Sequence, residues 1–137
     1  MTLEALRRIL DGVDPAPAVS QLIGFRMTAA EEGRATFELE AGPQHSSPPG
    51  TLHGGILCDI ADAAMGCATL SLLAEGESFA TVELKINFLK PVWSGRLTAV
   101  GSVVKNGRTI TLCDCRVTDE GDALVAYATC TQMTLRE

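Results

Sequence analysis

The chain has 137 residues, of which 46% are hydrophobic and 20% charged, and its formal net charge is −6 at pH 7. This balance fits one globular domain with a proper core and excludes an intrinsically disordered chain. The negative charge argues against general binding to nucleic acid or to anionic membranes, although it leaves room for a local basic pocket. We therefore expect a single domain over residues 1–137, with neither a nucleic-acid nor a membrane partner.

Hydrophobic periodicity and turn signals divide the chain into ten segments. In chain order they are a helix at 3–10, a further turn or two at 15–22, strands at 24–30 and 34–40, a loop at 41–50, a helix at 51–74, and strands at 79–89, 97–104, 108–118 and 123–135. Residues 1–22 thus form an N-terminal helical segment. The first twelve residues lack the long apolar core and cleavage site of a signal peptide.

Two of the later strands carry specific signals. Strand 79–89 alternates cleanly, with Val82, Leu84, Ile86 and Phe88 on one face and Thr81, Glu83, Lys85 and Asn87 on the other. Before strand 108–118, Lys105-Asn106-Gly107 predicts a tight hairpin turn with the Asn-Gly signal, and a shift of the apolar phase near Cys113 indicates a bulge or twist.

The central helix, TLHGGILCDIADAAMGCATLSLLA at residues 51–74, is apolar on nearly all sides except for Asp59 and Asp62. Such a helix must be buried on almost its whole circumference, and the two carboxylates argue against a transmembrane span. Two strands, one long helix and four strands predict an α+β fold in which a six-stranded antiparallel sheet wraps the helix. Covering so apolar a helix also favours a homodimer.

The five cysteines all lie in apolar segments: Cys58, Cys67, Cys113, Cys115 and Cys130. Their odd number and the absence of a C-x-x-C motif predict reduced, buried thiols in a cytoplasmic protein. Cys113 and Cys115 can share a strand face, but no further ligand is suitably spaced, so we expect no metal site.

Residues His53, Gly54 and Gly55 begin the central helix, where free backbone N–H groups meet the positive end of the helix dipole. This arrangement fits an oxyanion site for a carbonyl, or simply a tight turn required by packing. Asp59 and Asp62 project from neighbouring sides of the helix, and either can act as nucleophile or general base. Their spacing alone does not choose between them.

Basic side chains and the remaining nucleophiles are less informative. Lys90 and Arg108 flank turns, where they can bind phosphates or simply be solvated. The chain has no G-x-S-x-G motif and no Gly-rich phosphate loop, and Cys58 lies within the apolar helix.

Three motifs carry a resemblance: GTLHGGILCDIADAAMG at 50–66, TVELKINFLKP at 81–91 and NGRTI at 106–110. Together they resemble the hotdog-fold acyl-CoA thioesterases, in particular the phenylacetate-degradation (PaaI-type) branch of the 4-hydroxybenzoyl-CoA thioesterase superfamily. The likeness covers roughly residues 20–135. It implies hydrolysis of an aromatic or medium-chain acyl-CoA to free acid and CoA, without a metal or other cofactor.

The resemblance also implies roles for individual residues. Asp62, nine residues after the motif histidine, is the nucleophile or general base, and the Gly54 N–H is the oxyanion donor. His53 shapes the turn, and Thr81 helps to place water or the acid. The site would combine Gly54 and Asp62 from different subunits of a homodimer, and such dimers usually pair into tetramers. The CoA arm would pass Gly55 and the Lys90 and Arg108 turns.

One position departs from the family pattern, because Ser47 stands where Asn or Gln is usual, near the carbonyl or the lytic water. This departure bears on rate and substrate preference more than on reaction class. Two alternatives stay open at this stage. One is a hotdog dehydratase or hydratase acting on acyl thioesters, although His53 alone does not supply its histidine pattern. The other is a non-catalytic acyl-CoA binding module.

Overall fold

A long helix lies against the concave side of one antiparallel sheet, and this arrangement confirms the predicted α+β hotdog architecture. The computed structural model describes all residues from 1 to 137. Its elements are α1 (Leu3–Leu10), α2 (Ala18–Ile23), β1 (Phe25–Glu31), β2 (Arg34–Ala41), a 3₁₀ turn (Pro43–His45), α3 (Gly54–Leu70), β3 (Ser78–Phe88), β4 (Gly95–Asn106), β5 (Ile110–Thr118) and β6 (Leu124–Leu135). None of these helices has the length and apolar character needed to span a bilayer.

The six strands are ordered β1-β2-β4-β5-β6-β3, so β1 and β3 form the two edges of the sheet. Helix α3 packs mainly on β2, β4 and β5, and its closest approach is at Gly101 of β4. A Cβ atom at Gly101 would lie 2.4 Å from the carbonyl carbon of Ala64. Only a residue without a side chain therefore allows the helix and the sheet to meet this closely.

Helix α3 is shorter and less enclosed than its composition predicts. It begins at Gly54 rather than residue 51, because His53 caps it, and it ends at Leu70 rather than residue 74. Ile60, Ala61 and Ala64 are buried, but Asp62 is exposed in the protomer. The expectation of burial on almost the whole circumference is therefore wrong for a single protomer.

Strand β3 contains a bulge that the alternation of its sequence conceals. Its partner register on β6 passes from Thr81 opposite Gln132 to Glu83 opposite Thr131, leaving Val82 as the extra residue. Gln132 is fully buried, so Thr81 lies on the inner face, and Leu84 returns to that face after the bulge. The predicted burial of Val82 is wrong, because Val82 is 60% exposed. Thr81 is exposed in the protomer, as predicted, although it faces α3.

The connection between β4 and β5 also differs from the prediction. Lys105 and Asn106 still belong to β4, and Gly107 has no positive φ angle, so the turn is the three-residue loop 107–109 and not the predicted turn over 105–107. The expected irregularity near Cys113 lies on the neighbouring strand instead. The register places Val104 of β4 as an extra residue there, while β5 itself alternates without a break.

Candidate active site

The first turn of α3 is capped by the side chain of the residue before it. The backbone of His53 is extended, and its Nδ1 atom accepts a hydrogen bond from the Gly55 N–H at 2.9 Å. His53 is itself anchored, because its N–H donates to the His45 carbonyl at 2.8 Å. Nδ1 accepts this bond only in the neutral tautomer that carries its proton on Nε2. In the structure His53 caps α3, while its role in the active site stays a prediction.

The Gly54 N–H, in contrast to that of Gly55, has no acceptor within the chain. It opens toward a cleft of about 540 Å³ whose wall includes Ser47, His53, Phe88 and Lys90. The Phe88 ring stands over Gly54 so closely that a Cβ atom there would lie 2.9 Å from it. A free N–H at the positive end of a helix is suited to a partial negative charge on oxygen.

Asp62 lies two turns further along α3 and is bonded from the sheet. The Thr81 hydroxyl donates to its Oδ1 atom at 3.0 Å. The bulge at Val82 makes this bond possible, because it turns Thr81 inward toward the helix. The Thr81 hydroxyl thus lies within hydrogen-bond distance of Asp62, while its role in placing water or the acid stays a prediction.

Asp59 differs from Asp62 in both contacts and environment. No side chain hydrogen bonds to Asp59, which is half-buried on a neighbouring face of α3. Burial, and secondarily the negative charge of Asp62, raise the pKa of the Asp59 carboxyl. Of these two acids, only Asp62 accepts a side-chain hydrogen bond, and it also lines an apolar cavity, so the structure distinguishes two residues that spacing left equivalent.

Gly54 and Asp62 open into two different cavities of the protomer. Asp62 lines an apolar cavity of about 410 Å³ between α3, β1 and the N-terminal helices, whereas Gly54 lines the cleft beside Lys90. Eight residues of helix separate the two, which is a rise of about 12 Å. A carbonyl bound to the Gly54 N–H is therefore out of reach of the Asp62 carboxylate of the same chain.

The two basic residues predicted to bind CoA, Lys90 and Arg108, lie near opposite ends of the edge strand β3. Lys90 borders the Gly54 cleft and forms an ion pair with Asp119, which lowers the pKa of that carboxyl. Arg108 lies in the β4–β5 loop, next to Arg136 and the start of β3, at the far end from Lys90. Strand β3 separates the two ends by about 35 Å, so one protomer does not bring these two residues together.

Ser47 lies on the wall of the Gly54 cleft, but its hydroxyl is used locally. Its Oγ atom donates to the Thr51 carbonyl at 2.9 Å and lies 3.2 Å from the Thr51 hydroxyl. It therefore stiffens the loop leading into α3. The Phe88 ring over Gly54 is the feature of this cleft that the sequence did not reveal, because strand alternation assigned Phe88 to the core and it is 55% exposed.

Comparison with known proteins places this geometry in a family. The family model described as the thioesterase superfamily matches residues 49–126. A protein of Saccharolobus solfataricus named as an esterase is 31% identical over 82% of this chain and 80% of its own length. The 1,4-dihydroxy-2-naphthoyl-CoA hydrolase of Listeria monocytogenes is 26% identical over 82% of this chain and 92% of its own length.

A solved structure gives the same result. A phenylacetic acid degradation-related protein from Ralstonia eutropha superposes with a TM-score of 0.85 at 28% identity, covering 93% of this chain and 98% of that one. The chain belongs to the thioesterase superfamily. The expectation of a hotdog-fold thioester hydrolase is confirmed at this level.

Proposed function

We propose that the protein hydrolyses an aromatic or medium-chain acyl-CoA to the free acid and CoA. One observation carries this proposal: the α3 helix presents an unpartnered Gly54 N–H at its start and a Thr81-bonded Asp62 carboxylate two turns later. These are an oxyanion donor and a nucleophile or base, the two groups that acyl transfer requires. The relative from Listeria that is named as an acyl-CoA hydrolase supports a CoA ester as the substrate.

In the proposed reaction the thioester carbonyl oxygen accepts a hydrogen bond from the Gly54 N–H. Asp62 then follows one of two routes. It attacks the carbonyl carbon, the C–S bond breaks, CoA leaves as the thiolate, and water hydrolyses the resulting anhydride. Alternatively, it takes a proton from the attacking water and passes it to the departing sulfur. Thr81 orients the carboxylate in both routes, and no metal or other cofactor is required.

The proposal needs two subunits, because Gly54 and Asp62 of one chain are about 12 Å apart along the helix. The edge strand β3 offers the means. Its start carries Thr81, which holds Asp62, and its end carries Phe88, which covers Gly54. Antiparallel pairing of two β3 edges about a two-fold axis would set the Asp62 end of one protomer beside the Gly54 end of the other. We propose this homodimer and, by the family resemblance, a pairing of dimers into a tetramer.

The same pairing gives a consistent path for the CoA arm. Arg108 lies near the start of β3 and Lys90 near its end, so antiparallel edges would bring Arg108 of one protomer toward the Lys90 cleft of the other. Both side chains could then meet the phosphates. Gly55 would border this path through its backbone, since its N–H is bound by His53. A cytoplasmic location remains a prediction from the five free cysteines.

The decisive test replaces Asp62 by Asn and follows release of free thiol from a panel of acyl-CoA esters. We expect turnover to fall by at least about 1,000-fold, because the amide can neither attack nor take a proton. Asp59→Asn is the matched control on the same helix and should retain turnover. Full activity of a folded Asp62→Asn protein would contradict the mechanism. Hydration of an enoyl-CoA, or tight acyl-CoA binding without thiol release by the unaltered protein, would contradict the function.

A further inference from the structure

The apolar cavity that contains Asp62 has an outer wall built from the N-terminal segment. Helix α1 packs on β1 and directs Leu6 and Ile9, one turn apart, toward the cavity. Val19 of α2 completes this wall. Leu6 is 1% exposed, so the wall is anchored to the domain and is not a loose extension.

The opposite wall is a stripe along α3 that starts at the carboxylate. Asp62, Ala63, Gly66, Cys67 and Leu70 all border the cavity. Near the middle of the stripe, Gly66 has no side chain and leaves room for the ring of Phe79. A Cβ atom at Gly66 would lie 3.0 Å from that ring. Burial, and secondarily the charge of Asp62, raise the pKa of the Cys67 thiol to about 12, so this position is uncharged at neutral pH.

The dimensions of the cavity limit what can occupy it. From Asp62 to Leu70 the stripe is about 12 Å long, by the rise of a helix. A straight hydrocarbon chain advances about 1.3 Å per bond, from a C–C length of about 1.5 Å, so roughly nine carbons span the stripe. The cavity volume of about 410 Å³ is in the range that holds a small ligand, and the only charged side chains in its lining are those of Asp62 and Arg26.

Arg26 does not make the cavity an anion site. Its guanidinium donates to Glu38 at 3.1 Å, and its side chain is 75% exposed. It therefore lies at the rim, where its charge is paired and solvated. Apart from Ser20, the rest of the lining consists of apolar and sulfur-containing side chains, which favour an uncharged hydrocarbon over a carboxylate or a phosphate.

We infer that this cavity binds the acyl group of the substrate as a straight, medium-length aliphatic chain, and that Ile9 and Val19 of the N-terminal segment set the chain length accepted. The inference rests on the proposed function, since it assumes that the thioester carbonyl lies at Asp62. From there the acyl chain runs along α3 toward Leu70, beneath α1 and α2. Each carbon added up to the end of the stripe buries further apolar surface and tightens binding.

The test changes the width of the cavity without touching the reacting groups. Val19→Phe adds a ring to the wall, and Val19 is 51% exposed, so the larger side chain has room to fold. Val13→Phe is the matched control, because Val13 lies in the same segment and is 60% exposed but does not line the cavity. Ile9→Ala enlarges the cavity instead.

Thiol release is measured for straight-chain esters from butanoyl-CoA to hexadecanoyl-CoA and for benzoyl-CoA and phenylacetyl-CoA. We expect kcat/KM of the unaltered protein to be highest for a straight chain of medium length. This optimum should shift by two or more carbons, to shorter chains in Val19→Phe and to longer chains in Ile9→Ala. Val13→Phe should leave the optimum unchanged. An unchanged profile in both cavity variants, or a preference for the aromatic esters, would overturn the inference.

Binding measured without turnover separates this inference from the function itself. The dissociation constants of straight-chain primary alcohols, which bring no negative charge to Asp62, are determined by calorimetry with the unaltered protein and with Val19→Phe. Affinity that rises with chain length to a maximum, and a maximum moved by Val19→Phe, supports the cavity assignment even if no ester is hydrolysed. Thiol release with no chain-length dependence of alcohol binding leaves the thioesterase function standing and refutes the cavity assignment.

Discussion

The Thr81 hydroxyl is the one side-chain group that hydrogen bonds to Asp62, so replacing it tests whether catalysis requires the carboxylate to be held in place. A hydrogen bond to a charged group contributes about 1.5–3 kcal/mol, so Thr81→Val should lower kcat about 10-fold to 100-fold. We expect KM to change little, because Thr81 orients the acid and does not line the Asp62 cavity. Steady-state kinetics with acyl-CoA esters measures both constants.

Thr81→Ser is the control for this prediction, since it keeps the hydroxyl and removes only a methyl group. Thr81→Ser should therefore have a kcat close to that of the unaltered protein. If Thr81 had a purely structural role, the decrease in kcat of each variant would instead parallel the decrease in its Tm. Equal kcat in Thr81→Val and the unaltered protein, with both folded, would show that the bond does not contribute to catalysis.

The choice between the two acids illustrates how far residue patterns reach. Sequence spacing left Asp59 and Asp62 equivalent, and only the likeness to a family favoured Asp62. In the structure they differ because Asp62 meets Thr81 while Asp59 has no hydrogen-bonding side chain. That contact depends on a strand residue that lies 19 positions after Asp62 in the sequence, so no local property of α3 could predict it.

At the scale of elements, the close packing of α3 on β4 depends on Gly101. A methyl group there would lie 2.4–2.6 Å from the backbone atoms of Ala64 and Met65, which cannot rotate away as a side chain can. Gly101→Ala should therefore force the helix off the sheet and destabilise the protein by about 1–3 kcal/mol or more. Thermal unfolding monitored by circular dichroism should give a Tm lower by several degrees.

Gly121→Ala is the matched control, because it lies in the exposed β5–β6 turn. Its nearest neighbour to an added Cβ atom is the Asp119 Oδ1 atom at 3.6 Å, and its φ angle is not positive. The Tm of this variant should stay close to that of the unaltered protein. An equal loss of stability in both variants would mean that glycine flexibility, rather than close packing, accounts for the effect.

The order and type of the elements could be predicted because each depends on local periodicity and turn residues. The bulges could not. The alternation from Thr81 to Phe88 predicts a regular strand, and the extra residue at Val82 becomes visible only in the register with β6. The sequence likewise predicts an irregularity in β5, because the apolar residues Ile110 and Leu112 are out of phase with the buried residues that follow. In the structure β5 is regular, these two residues lie on its outer face, and the bulge is at Val104 of β4.

At the scale of the whole molecule, the exposed edge strand β3 is the feature that a single protomer leaves unexplained. Its outer edge has no partner strand, and its apolar side chains Val82 and Phe88 are 60% and 55% exposed. A long unpaired edge with exposed apolar residues favours association with another strand. The proposed dimer would cover this edge and bring together Gly54 and Asp62 from opposite chains.

Complementation between two inactive variants tests this arrangement. Gly54→Pro removes the proposed oxyanion donor, and proline is tolerated at the first position of a helix when the preceding residue is extended, as His53 is. The Phe88 ring is half-exposed and can move aside from the proline. Gly54→Pro and Asp62→Asn should each be inactive alone. Coexpressed in equal amounts, they should regain activity, because a mixed dimer has one site with an intact Gly54 from one chain and an intact Asp62 from the other.

Random pairing makes half of the dimers mixed, and each mixed dimer has one intact site of two, so activity should return to about a quarter of the unaltered level. The control is a chain that carries both substitutions, coexpressed with the Asp62→Asn chain. None of its pairings contains an intact Asp62, so it should stay inactive. Size-exclusion chromatography and native mass spectrometry establish whether mixed dimers form. If mixed dimers form but show no activity, the site lies within one chain, and the substrate must move along the roughly 12 Å between Gly54 and Asp62 of that chain.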